Sequence, residues 1–128
     1  VTDTTGRSTT GTSFALNSSS LTLNITPSST SSKILVHLSC LLYINNSSGR
    51  LTIFRDSTNL GGSGANDSFI VTDGDAKYFA TSGVTFLDSP SSTNAVNYQI
   101  RFKSDSGVAV NVVGGGMLNT FTLMEIEA

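Results

Sequence analysis

The alternation of apolar and polar residues predicts a chain built from β-strands. In Val96–Lys103, apolar residues at even positions alternate with polar residues at odd positions. Because successive side chains of a strand point to opposite faces, this segment has one face for a core and one for solvent. Lys33–Ile44 is largely apolar on both faces, which is typical of a central strand that is covered on both sides.

Residues that favour turns divide the chain into eight or nine short strands. Besides the two segments above, we predict strands at Phe14–Leu16, Leu21–Thr26, Leu51–Phe54, Tyr78–Leu87, Val108–Val113 and Phe121–Ile126. The Asp, Ser and Asn residues of Arg55–Leu60 predict a hairpin that returns through Leu60. No segment has a convincing helical periodicity. The pattern therefore predicts an all-β protein, an antiparallel β-sandwich, and eight strands suit a jelly roll.

Length and composition predict one domain with no basic surface. Residues 1–12 lack apolar periodicity, so we predict an extended lead-in or linker there, followed by a sandwich domain at residues 13–128. Only 12% of residues are charged and the formal net charge is −2, which disfavours binding to nucleic acid or to an anionic membrane. No apolar run approaches the ~20 residues that a membrane-spanning helix needs, so membrane insertion is not expected.

Residues able to do chemistry are few. His37 and Cys40 lie within the apolar strand Lys33–Ile44, and His37 has no second His or Cys at metal-binding spacing. We interpret His37 as a structural or interface residue and Cys40 as a buried, inert thiol. No two carboxylates stand out as an acid–base pair. The sequence therefore predicts no enzyme, no cofactor and no metal, although Asp73 and Asp75 offer oxygen atoms that suit a hard cation.

Four segments resemble a domain of virion proteins from marine and cyanobacterial tailed phages. They are Ile25–Val36, Phe54–Gly61, Phe86–Pro90 and Thr122–Ile126, and the resemblance runs from about Thr9 to the end of the chain. In those phages the domain is the C-terminal part of tail-fibre or other appendage proteins. The resemblance implies a jelly roll similar to the homotrimeric heads of tumour necrosis factor and complement-type proteins. Its motifs are strands and turns with no catalytic content.

We accordingly expect a non-enzymatic component of a phage virion. In this hypothesis the chain is a homotrimeric tail-fibre or appendage domain that adjoins other virion proteins and contacts a glycan or protein on the host surface. One alternative is a decoration or cement protein of the capsid or tail, with a structural role. A second alternative is a carbohydrate-binding module, which the absence of Trp and the presence of only three Tyr residues disfavour.

Two sets of residues are candidates for binding. Receptor-facing loops are predicted at Asn45–Gly49, Gly61–Asp75 and Asp88–Asn94, all at one end of the sandwich, since display loops are commonly held by a rigid scaffold. Their candidate contact residues are Asn46, Asn66, Asp67, Asp73, Asp75 and Asn94. The second set is a predicted subunit interface on the face of Lys33–Ile44 that points away from the core. It consists of Leu35, His37, Leu41 and Tyr43.

Overall fold

The computed structural model describes residues 1–16, 21–44, 48–72, 78–112 and 118–127. The strands in these ranges are β1 (Thr2–Asp3), β2 (Arg7–Thr9), β3 (Thr22–Ile25), β4 (Lys33–Ile44), β5 (Gly49–Arg55), β6 (Thr58–Asn59), β7 (Ile70–Thr72), β8 (Tyr78–Asp88), β9 (Val96–Ser104), β10 (Val110–Val112) and β11 (Asn119–Ile126). One turn of 3₁₀ helix covers Gly64–Asn66.

The strands form two antiparallel sheets that pack face to face. In the β4 sheet, β4 pairs with β8 on one side and with β11 and β10 on the other. Strand β1 pairs with β11, and β2 pairs with β10. In the β9 sheet, β9 lies between β3 and β5, and β5 also pairs with β6 and β7. The predicted all-β sandwich is confirmed, and β4 is a central strand as expected.

The chain crosses between the sheets in the manner of a jelly roll. It passes from β1 and β2 in the β4 sheet to β3 in the other, then to β4 and back to β5. After β7 it crosses again to β8, then to β9, and finally to β10 and β11. Apart from β5 with β6 and β7, neighbouring strands are therefore distant in sequence, which is the ordering of a sandwich built from Greek-key connections.

The core lies between the sheets and follows the period of two. Along β9, buried side chains alternate with half-buried ones, so the predicted register of Val96–Lys103 is confirmed. Even-numbered residues of β4 meet them from the opposite sheet. Members of the core with almost no exposed surface include Ile34, Val36, Leu38, Ile53, Tyr98, Ile100, Phe102 and Phe121. Full burial of each such aliphatic or aromatic side chain contributes about 1.5–3 kcal/mol.

Local turn chemistry produces the predicted hairpin. Strands β5 and β6 pair at Phe54 with Asn59 and at Arg55 with Thr58. Asp56 occupies the turn with a φ of 52°, in the left-handed region that Asp tolerates better than most residues. The adjacent backbone closes the corner, because the Asp56 N–H donates to the carbonyl of Asn97 at 2.7 Å.

The first twelve residues belong to the sandwich. Thr2–Asp3 pairs with β11, and Arg7–Thr9 pairs with β10. The Asn119 side chain, which is fully buried, donates to the carbonyl of Asp3 at 3.2 Å and holds this segment in place. These strands show no apolar periodicity because they flank a sheet whose core face is already filled by β4 and β11.

Candidate functional site

The four predicted interface residues lie together on the outer face of β4. The register places Leu35 between Leu87 of β8 and Met124 of β11, in one row across three strands. Leu87 is 55% exposed and Met124 is 54% exposed, so the row is open to solvent in the single chain. The sequence indicated Leu35 but missed its two neighbours, although both are out of phase with the core residues of their own strands.

The next two rows on this face consist mainly of small side chains that carry hydroxyl groups. His37 lies between Thr85 and Thr122, and its Nδ1 is 2.8 Å from the Thr85 hydroxyl. One row further on, Ser39 lies between Gly83 and Thr120. None of these three rows contains a charged residue. We call the three rows together the uncharged face.

The remaining predicted interface residues continue the same side of β4. Leu41 is buried within the chain at 7% exposure, and its N–H donates to the side-chain oxygen of Asn119 at 3.0 Å. Tyr43 is half-buried and pairs in register with Asn111 of β10. His37 is therefore the exposed member of the predicted set, Leu35 and Tyr43 are half-buried, and Leu41 is buried within the chain.

Strand β8 adds a sheet edge to the uncharged face. Among the described strands β8 pairs only with β4, which leaves the backbone groups of its other edge without a strand partner. It is 11 residues long and carries no charge before Asp88. Natural edge strands are usually short, bulged, or protected by charge or Pro, because a long flat edge pairs readily with another chain. The uncharged face and this edge of β8 therefore adjoin on one side of the β4 sheet.

Asp67, a predicted receptor contact, forms ion pairs with two cationic side chains of the β9 sheet. The Lys103 ammonium donates to Asp67 Oδ2 at 2.6 Å, and Arg50 Nη1 lies 3.3 Å from Oδ1. Partial desolvation acts to raise the pKa of Asp67, but the hydrogen bonds and charges of Lys103 and Arg50 outweigh it. The pKa of this carboxyl is therefore below its usual value.

The Asn59 side chain forms hydrogen bonds that link the first part of the predicted loop, from Gly61 to Asp67, to the sheet. Its Oδ1 accepts hydrogen bonds from the buried Thr52 hydroxyl at 2.5 Å and from the Gly61 N–H at 3.0 Å. Its Nδ2 donates to the carbonyl of Asp67 at 2.7 Å. The first part of the predicted display loop is thus bound to the sheet beneath it.

Residues 69–72 of that loop also pack against the sheets. The Phe69 ring stacks on Phe86 with centroids 4.6 Å apart, and the Phe69 N–H donates to the carbonyl of Leu51 at 3.1 Å. Ile70–Thr72 then forms β7 against β5. Of the candidates between Gly61 and Asp67, Asn66 is the exposed one, at the end of the 3₁₀ turn.

The predicted loops do not all share one end of the sandwich, and this expectation was wrong. Because β8 runs antiparallel to β4, Asp88 pairs with Ile34, and the Asp88–Asn94 connection leaves at the end where β4 begins. Strand β4 finishes at the opposite end, where β5 starts at Gly49. Asn94 is exposed and its N–H bonds to the Ser92 hydroxyl at 3.0 Å. Asn46, Asp73 and Asp75 lie outside the described residues.

Asp88 itself is buried and joins the two sheets. It accepts a hydrogen bond from the Tyr98 hydroxyl at 2.6 Å and two from Arg55 Nη1 at 2.7 and 2.8 Å. Burial, together with the adjacent carboxylate, raises the pKa of Tyr98 above its ordinary value. Both oxygens of Asp88 accept hydrogen bonds, and the network links the end of β8 in one sheet to β5 and β9 in the other.

Potential reactive groups are sparse in the part of the chain that the structure describes. Burial raises the pKa of the Cys40 thiol to about 12, so the nucleophilic thiolate is not formed near neutral pH. Within the described ranges, no cluster of three His, Cys, Asp or Glu side chains is placed to hold a metal ion. The same ranges contain no helix with the length and apolarity needed to cross a membrane.

Comparison with models of protein families, with curated proteins and with solved structures found no match to this chain.

Proposed function

We propose that this chain is a non-enzymatic component of a tailed-phage virion, a homotrimeric tail-fibre or appendage domain that contacts the host surface. The observation that carries the proposal is the uncharged face and the adjoining free edge of β8 on one side of a jelly-roll sandwich. The sequence resemblance to appendage domains supports the same assignment.

The two surfaces suit a ring of identical subunits, and the number three comes from the resemblance to homotrimeric heads. The free edge of β8 and the outer face of β4 and β11 are different surfaces of the same sheet, so a contact between them is heterologous. A heterologous contact closes into a ring when the rotation between subunits allows it. The row of Leu87, Leu35 and Met124 would then be buried, and each Å² of apolar surface removed from water contributes about 25 cal/mol.

The strand directions suggest which end faces the host. Strand β1 begins beside Thr120, and β2 ends beside Val110, which pairs with Ile44. The chain therefore runs from the middle of the sheet toward the end where β4 finishes. In this proposal the Ile44 end is the distal end, which faces the host. Three copies of each distal loop would bind by avidity, so weak contacts per copy suffice.

Electron microscopy of the virion tests this proposal. Gold-labelled antibody against the chain should mark the tip of a tail appendage, and antibody fragments against the distal end should slow adsorption to host cells. Label spread over the capsid, with adsorption unchanged, would instead assign the decoration role. Virions that carry no label at all would rule out both structural assignments.

A further inference from the structure

On the outer face of the β9 sheet, Arg101 has no ion pair with a carboxylate of the described residues. Arg7, Arg50, Arg55 and Lys103 each form an ion pair with an Asp side chain. Arg101 has no carboxylate partner among the described residues. It is half-buried, and it lies in the middle of β9, opposite Thr52 of β5. An unpaired guanidinium on a rigid strand is a ready partner for an anion.

The Arg101 side chain is held in a fixed orientation. Its Cζ atom lies 4.1 Å from the centre of the Phe54 ring, and its Nε and Nη2 groups both donate to Gln99 Oε1, at 3.1 and 2.7 Å. Phe14 meets Phe54 edge to face, with the ring centroids 6.2 Å apart. Stacking and hydrogen bonding therefore fix the guanidinium before any ligand arrives, which reduces the entropy lost on binding.

A row of amide side chains continues from Arg101. Gln99 Nε2 donates to Asn97 Oδ1 at 2.5 Å, and Asn97 Nδ2 donates to Asn24 Oδ1 at 2.6 Å. From Arg101 to Asn97 the row spans about 13 Å, four residues at the ~3.3 Å rise of a strand. Each amide has two donor hydrogens and an oxygen with two lone pairs, so the row retains capacity to bind hydroxyl groups.

The two ends of this row carry opposite charges. Next to its Asn97 end lies Asp56, whose carboxylate accepts a hydrogen bond from the Asn97 N–H at 3.1 Å. The Arg101 end is therefore cationic and the opposite end is acidic. Beside the row, the hydroxyl of Thr22 is buried and has no hydrogen-bond partner in the described part of the chain. A ligand with its carboxylate at Arg101 and its hydroxyls along the amides matches this order.

We infer that the outer face of the β9 sheet binds an acidic glycan, with a sugar carboxylate on Arg101 and sugar hydroxyls on Gln99, Asn97 and Asn24. The inference rests on the proposed contact with the host surface and names the class of ligand. A glycan fits better than an acidic peptide because amide side chains, which bind hydroxyl groups, continue the row from Arg101. Recognition through a guanidinium and amides also needs no Trp.

Titration calorimetry with defined oligomers tests the inference. An oligogalacturonate hexamer should bind the purified protein, and maltohexaose, which has no carboxylate, should bind at least tenfold more weakly. Arg101→Gln should lower the affinity for oligogalacturonate by about ten- to a hundredfold, as expected for the loss of a charge-assisted hydrogen-bonding group. Raising the salt concentration should weaken the binding of the unaltered protein.

Lys33→Gln is the matched control, because Lys33 is an exposed cation on the other sheet with no ion pair in the described residues. It should leave the affinity for oligogalacturonate unchanged within about twofold, and circular dichroism should show that both variants are folded like the parent. The inference is overturned if the unaltered protein does not bind oligogalacturonate, if Arg101→Gln binds equally well, or if hexaglutamate binds as tightly.

Binding of fluorescent protein to host cells separates this inference from the proposed function. Arg101→Gln protein that coats cells as well as the parent would overturn the glycan site and leave the host contact standing. Parent protein that fails to coat cells would contradict the host contact, and calorimetry would still decide whether the face binds the acidic oligomer. Reduced coating by Arg101→Gln alone supports both.

Discussion

At the scale of single residues, Asp88 shows how this fold accommodates a buried charge. Its two oxygens accept three hydrogen bonds, two from Arg55 and one from Tyr98, and Arg55 also reaches the carbonyl of Ser89 at 3.3 Å. A buried carboxylate is tolerated when its charge is matched and its lone pairs are occupied. Removing the carboxylate would leave Arg55 and the Tyr98 hydroxyl without their partner between the sheets.

We predict that Asp88→Ala lowers the free energy of unfolding by about 3–5 kcal/mol, the usual cost of breaking a buried ion pair. Asp105→Ala is the control, because Asp105 is an exposed residue that pairs with Arg50 at the surface. Its effect should stay below about 1 kcal/mol. Urea denaturation measures both values, and equal losses would mean that Asp88 is no more important than a surface carboxylate.

Asp67 makes the stability of the fold depend on pH in the acidic range. Its folded pKa lies below the ordinary value of 3.8, so the ion pairs with Lys103 and Arg50 stabilise the fold above that pH. The contribution is lost as the pH falls through the lower, folded pKa. The hydrogen bond from the Ser28 backbone N–H lowers the pKa of Glu125 as well, so both carboxylates act in the same acidic window.

We predict that Lys103→Gln raises the pKa of Asp67 toward its ordinary value and reduces the acid-dependent part of the stability. Carboxyl NMR titration measures the first effect, and urea denaturation between about pH 2 and 7 measures the second. Lys33→Gln, on the other sheet, should change neither quantity. An unchanged Asp67 pKa in Lys103→Gln would show that the ion pair at 2.6 Å does not persist in solution.

At the scale of elements, the segment from Asn59 to Phe69 is the main departure from the expected display loop. The glycine-rich run Gly61-Gly62-Ser63-Gly64 forms a turn at the start of the predicted loop. What the pattern did not indicate is that the turn is bonded to the sheet through Asn59 and Asp67. Gly62 adopts a φ of 110° and Gly64 a φ of 65°, both in the region that favours glycine.

The two glycines differ in the space around them, which allows a matched test. A Cβ on Gly62 would collide with the carbonyl oxygen of Asn66, whereas a Cβ on Gly64 would meet nothing within 4 Å. We predict that Gly64→Ala costs about 1 kcal/mol through backbone strain alone, and that Gly62→Ala costs about 1–2 kcal/mol more. Thermal or urea unfolding measures the difference. Equal costs would mean that this turn moves freely to relieve the collision.

At the scale of the whole molecule, an uncharged face and a free β8 edge lie on one sheet, and ion pairs and amides cover the other. Leu87 on the β4 sheet and Val71 on the β9 sheet are exposed to the same degree, 55% and 57%. Exposure of a single apolar residue is ordinary for a surface. The distinction is that Leu87 stands in a row with Leu35 and Met124, whereas Val71 pairs in register with Arg50.

We predict that the purified chain is a trimer in light scattering at micromolar concentration and that Leu87→Lys converts it to a monomer. Because Leu87 is exposed in the single subunit, the lysine should leave each subunit folded, which circular dichroism checks. Val71→Lys, equally exposed on the other sheet, should remain trimeric. A monomeric parent protein, or a Leu87→Lys variant that stays trimeric, would contradict the proposed assembly surface.

The period-two pattern was sufficient to predict much of the architecture. It identified β9 with its buried even positions, β4 as the central strand, and the face of β4 that carries Leu35 and His37. Turn chemistry in Arg55–Leu60 was sufficient for the hairpin between β5 and β6. These features follow from the sequence because strand alternation and tight turns are set by neighbouring residues.

Only the tertiary structure decided which distant groups meet. The partners of Asp67 are Lys103 and Arg50, and Arg101 lies over Phe54, yet no local spacing connects these residues. The placement of the Asp88–Asn94 connection likewise depended on the antiparallel register of β8 against β4. In a jelly roll, neighbouring strands come from distant parts of the chain. The sites on its surface are therefore assembled by pairings that the sequence order does not reveal.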